Sequence, residues 1–73
     1  MRIIVHNWPK KFIDGLLKHL NTFDRVNAAV LNGEIIEVSF TEHRGRLPSN
    51  DYLDGFMREI YGYRIAVSVA QQD

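Results

Sequence analysis

Apolar residues recur along this chain with two different periods. Residues 2–6, Arg-Ile-Ile-Val-His, are a short β-branched run and predict a strand. Asn7-Trp8-Pro9 breaks it, because a residue before proline is pushed out of the α region while proline itself suits the first helical position. A helix is therefore expected from Pro9, capped by Trp8 or Asn7. In it Phe12, Ile13, Leu16, Leu17 and Leu20 form one apolar face, with Lys10, Lys11, Asp14 and Lys18 on the other side. Asn21-Thr22 ends it, and Phe23 is expected to fold back on the core.

Two β-rich runs follow, 25–31 and 34–41, separated by Asn32-Gly33, a strong hairpin signal because both turn positions favour positive φ. Ile36, Val38 and Phe40 alternate with Ile35, Glu37 and Ser39, the pattern of a sheet with one buried side. Residues 42–48 read as loop, and Ser49, Asn50 and Asp51 offer a choice of N-cap. A second helix is expected to about Tyr61, with Tyr52, Leu53, Phe56, Met57, Ile60 and Tyr61 apolar and Gly62 ending it. Residues 63–70, YRIAVSVA, alternate again and predict a last strand, with Tyr63, Ile65, Val67 and Val69 inward. The tail Gln71-Gln72-Asp73 reads as polar and frayed.

The resulting order, β-α-β-β-α-β, implies an α+β ferredoxin-like split βαβ sandwich: a four-stranded antiparallel sheet, order 4-1-3-2, with two helices on one face. The two helices echo one another, FIDGLLKHL at 12–20 and YLDGFMREI at 52–60. Gly15 and Gly55 then read as sites where the helices approach side by side.

Composition narrows the function without naming it. Residues 1–73 make a single small domain with a thin core. Formal net charge is zero, so no general pull on nucleic acid or anionic lipid exists. Cysteine is absent, which removes thiolate metal sites and thiol catalysis and points to a reducing, cytoplasmic setting. The first residues read as neither a signal peptide nor a membrane span, so no membrane association is expected.

Candidate chemistry is sparse. His6, His19 and His43 lack metal-ligand spacing, so neither metal nor other cofactor is expected. Asp14 and Asp54 point away from the apolar faces of their helices. No nucleophile motif or phosphate cradle occurs. Acylphosphatases share the expected architecture and hold an arginine in the loop after the first strand; here that loop is Asn7-Trp8-Pro9. A small acylphosphatase-like hydrolase is thus only a third alternative, by fold analogy. The basic loop with His43, Arg44 and Arg46, running into Ser49 at a helix start, is a candidate anion or nucleic-acid site. The expected open sheet face carries Ile4, Ala29, Leu31, Ile35, Glu37, Ser39, Arg64, Ala66 and Ser68, without the aromatics on which bases stack.

That face, apolar and sparsely charged, reads as wanting cover. The leading expectation is a non-enzymatic protein-binding module, an inhibitor or adaptor such as phages and mobile elements encode. Its partner-binding residues would be Ile4, Leu31, Ile35, Glu37, Arg64 and Ala66. The partner would be another protein or a second copy, a homodimer formed through the open face or the strand 63–70.

Overall fold

A computed structural model describes residues 1–72; Asp73 lies outside them. Five elements follow in order: β1 (Arg2–Ile4), α1 (Lys10–Leu20), β2 (Val26–Asn32), β3 (Ile35–Phe40) and α2 (Asn50–Ala70). The class is α+β, with a three-stranded sheet in the order β1-β3-β2. Both neighbours of β3 are antiparallel to it, so β1 and β2 run parallel with β3 between them.

The fourth strand expected over 63–70 does not form, and the ferredoxin-like sandwich is corrected accordingly. Residues 63–70 continue α2, which spans 21 residues, about 31 Å at 1.5 Å per residue. The reason lies in the sequence itself. Phe56, Ile60, Tyr63 and Val67 fall at i, i+4, i+7 and i+11, one helical stripe running straight through Gly62. Phe56, Ile60 and Val67 are buried and Tyr63 is half-buried. Tyr63 and Val67 satisfy both the two-residue and the helical period, but only the helix lets them join Phe56 and Ile60 on one face. Ile65 and Val69, expected inward, are exposed. Gly62 does not take positive φ and caps nothing; the helix closes at Gln71 instead, the Gln71 amide donating to the Val67 carbonyl and the Gln72 amide to the Val69 carbonyl.

Two smaller expectations also change. The hairpin pairs Asn32 with Ile35, so its two-residue turn is Gly33-Glu34, with Gly33 at φ 65°. Glycine at the first turn position supplies the one positive φ this turn requires. The echoed helices are not equivalents, since α1 has 11 residues against 21 in α2. A Cβ on Gly15 would meet the Tyr63 ring at 3.8 Å, whereas nothing lies within 4 Å of one on Gly55. Only Gly15 therefore faces the neighbouring helix.

Both helices cover one face of the sheet. Ile3, Ala29, Ile36 and Val38 from the strands, with Val5 just past β1, meet Leu16, Leu20, Phe56 and Ile60 from the helices in one buried cluster. Phe23 does fold back, standing edge-on to Phe56 at 5.3 Å between ring centres. Phe40 makes the same arrangement with Phe56 at 5.2 Å. Edge-to-face packing suits the ring quadrupoles and adds about 0.5–1.5 kcal/mol per pair beyond area burial. Trp8 is half-buried against the same cluster.

Candidate functional site

Cross-strand partners share a face of the sheet, which fixes what lies on its uncovered side. Ile4 pairs with Ile35, Arg2 and Val30 with Glu37, and Ala28 with Ser39. These residues form the outer face. Ile4 and Val30 are 60% and 57% exposed. The charges on this face, Arg2 and Glu37, lie 3.5 Å apart and pair with each other. Ala28, Val30, Glu37, Val38 and Ser39 border a shallow depression there.

Of the six partner-binding residues expected from sequence, three stand together here: Ile4, Ile35 and Glu37. Leu31 does not, because it opposes buried Ile36 and so has the parity of the covered face, where it emerges at the hairpin end. Ala29 likewise turns inward, opposite Val38, and is buried. Arg64, Ala66 and Ser68 belong to α2, on the other side of the sheet. Arg2, Ala28 and Val30 take their places. The signal for Val30 was the two-residue hairpin itself: a turn at Asn32-Gly33 or at Gly33-Glu34 sets the even residues of β2 opposite the odd residues of β3, so Val30 shares the face of Ile35 and Glu37.

The basic loop is more ordered than a loop. His43 and Arg46 exchange backbone hydrogen bonds of 2.9 and 3.0 Å, and Arg44 and Gly45 take φ 53° and 74°. Two successive positive φ values are the signature of the tight turn that matches strand twist. Arg25 anchors this miniature hairpin: its guanidinium donates to the Thr41 carbonyl at 2.9 and 3.2 Å and to the Arg46 carbonyl at 2.9 Å. Sequence reasoning gave Arg25 no role, since its partners are backbone carbonyls distant along the chain. His43, Arg44 and Arg46 are exposed, and among the described residues no ion pair joins either arginine to an acid. Ser49 caps α2, its hydroxyl accepting from the Tyr52 amide at 3.3 Å, so that oxygen is already engaged.

The three histidines are dispersed. His6 Nδ1 lies 2.8 Å from Glu34, tying the end of β1 to the hairpin turn. His19 Nε2 lies 3.3 Å from Glu59, linking α1 to α2. Among the described residues no three His, Asp or Glu side chains cluster as a metal site. Asp14 and Asp54 are both exposed. Among the described residues no helix is long and apolar enough to cross a membrane.

Set against family models, curated proteins and solved structures, the chain matches none of them.

Proposed function

We propose that this protein is a non-enzymatic binding module whose outer sheet face docks on another protein, in the manner of an inhibitor or adaptor. One observation carries the reading. Among the described residues nothing covers the outer face, which presents Ile4 and Val30 at 60% and 57% exposure, while Arg2 and Glu37 neutralise each other. Such a face gains by burying apolar area and loses little by desolvating charge. Capture of a partner by immobilised protein, compared with a Val30→Glu variant, tests it. Binding that persists at high salt and disappears with the added carboxylate supports the reading. Capture indifferent to Val30→Glu and to Ile4→Glu overturns it.

A second reading rests on the hairpin tip, where Arg44 and Arg46 stand exposed on a turn that Arg25 holds in place. Phosphate or a nucleic-acid backbone suits two such guanidinium groups. Its mark is affinity falling linearly with log salt, with a slope reduced by Arg44→Ala combined with Arg46→Ala.

A further inference from the structure

The two edges of the sheet are treated differently. Along β2, the Asn21 carboxamide occupies the outward peptide group of Ala29, and the register shifts between Val26 and Ala28. A blocked and bulged edge resists pairing. Along β1, among the described residues, no such device appears. Met1 exchanges bonds of 2.9 and 2.8 Å with Val38, and the Val5 amide donates to Glu34 at 2.8 Å. The alternation of an antiparallel ladder therefore turns the peptide groups of Arg2 and Ile4 to the open side.

Among the described residues one flank of α2 is also unpartnered. Glu59, Tyr63 and Ala66 mark the side of α2 turned to α1: Glu59 meets His19, Tyr63 meets Gly15, and Ala66 borders a groove with Phe12. Phe56, Ile60 and Val67 mark the side turned to the sheet. At 100° per residue, the flank opposite α1 holds Met57, Tyr61 and Arg64, with Asp54 one turn earlier. Met57 and Tyr61 are 49% and 64% exposed. Since α1 packs on β2 and α2 packs beside α1, this flank faces the β1 side of the sheet.

We propose that a second copy of the chain covers both features, β1 pairing antiparallel with β1 of its partner and α2 lying antiparallel beside the partner's α2. The spacings agree. Strands sit about 4.8 Å apart and packed helices 8–10 Å apart, so one helix spans two strands and a continuous six-stranded sheet brings the two α2 helices into contact. The side chains agree as well. A two-fold axis crossing α2 at the level of Glu59 sets Met57 against Tyr61 of the other copy. The same axis sets Asp54 against Arg64 and Leu53 against Ile65. One symmetry operation thus pairs opposite charges and apolar groups together, as a self-complementary interface requires. This inference uses a different surface from the proposed docking face, which the dimer would leave open and double in width.

Sedimentation equilibrium of the full chain tests it, with Arg64→Asp and Asp54→Arg as variants. Both positions are exposed, and circular dichroism checks that each variant keeps its helix content. The wild type is expected to dimerise. Each variant alone, now facing like charges, is expected to weaken the dimer about tenfold or more. An equimolar mixture of the two variants restores it, because in the mixed dimer each introduced charge faces its opposite and both ends of the helix pair are again neutralised. A wild type that stays monomeric to millimolar concentration overturns the proposal. So does a dimer unmoved by either variant, or a mixture that fails to recover. Val30→Glu leaves the dimer intact, which separates failure here from failure of the docking face.

Discussion

The side chain of Asn21 pairs with the backbone of Ala29 as another strand would. Its Oδ1 accepts from the Ala29 amide at 3.1 Å, and its Nδ2 donates to the Ala29 carbonyl at 3.2 Å. The same Nδ2 also donates to the Leu17 carbonyl at 2.8 Å, at the end of α1. One residue thus closes a helix C-terminus and a sheet edge together. Asn21→Ala is expected to lower stability by about 1–2 kcal/mol, the usual worth of one or two part-exposed hydrogen bonds. Urea unfolding measures the loss, and amide exchange at Ala29 should accelerate in step. Asn21→Asp should not rescue it, since a carboxylate keeps the acceptor but sets negative charge against two carbonyl oxygens. Full stability in Asn21→Asp would contradict this account of the edge.

Gly62 offers a test of the continuous second helix. A Cβ there meets nothing within 4 Å, and its φ is not positive. Gly62→Ala should therefore stabilise by about 0.5–1 kcal/mol, the helix-interior difference between the two residues. Were Gly62 a left-handed C-cap before a strand, the same change would destabilise. The sign of the shift in the thermal midpoint decides between them.

That ambiguity marks where the sequence stopped being legible. Ile36, Val38 and Phe40 alternate with polar or less buried neighbours, and one period fits them, so β3 and its buried side could be read directly. Residues 63–70 fit two periods at once, and Gly62 supplied a false full stop. The choice between strand and helix there depends on Phe56 and Ile60 extending the same stripe, a tertiary preference that overrides local β-propensity. Within the candidate surface, Ile4, Ile35 and Glu37 were found because adjacent strands share their parity. Leu31 and Ala29 share the parity of Ile36 and Val38 under any two-residue turn between β2 and β3, so their inward side was legible from the hairpin and only the alternation within β2 alone, which is apolar on both sides, hid it. Asn21 was legible only as a helix end, and Arg25 left no pattern at all: each binds peptide groups, and any residue carries those.

Arg25 is expected to govern the order of the hairpin at 43–46. Removing its guanidinium in Arg25→Ala leaves the Thr41 and Arg46 carbonyls to water, at a cost of about 1 kcal/mol given their exposure. The larger effect should be local. The His43 and Arg46 amides, bonded across the turn at 2.9 and 3.0 Å, should lose protection from exchange while the Ile36 and Val38 amides keep theirs. Uniform loss across the sheet would mean that Arg25 supports the whole fold rather than the turn.

The aromatic cluster carries the heaviest share of a thin core. Phe56 is 1% exposed and stands edge-on to Phe23 at 5.3 Å and to Phe40 at 5.2 Å. Phe40 and Phe23 also meet the Tyr52 ring, at 6.5 and 6.3 Å, and the Tyr52 hydroxyl accepts from the Arg25 amide at 3.2 Å. Phe56→Ala should cost about 3–5 kcal/mol, combining lost transfer energy with the cavity left behind. A domain of this size has about that much stability in total, so the variant is expected to be largely unfolded at 25 °C. Phe56→Leu keeps most of the volume and loses the ring pairs, and should remain folded with a clearly lower urea midpoint. A Phe56→Ala chain with an unchanged midpoint would mean that the contact between α2 and the sheet does not hold this fold together.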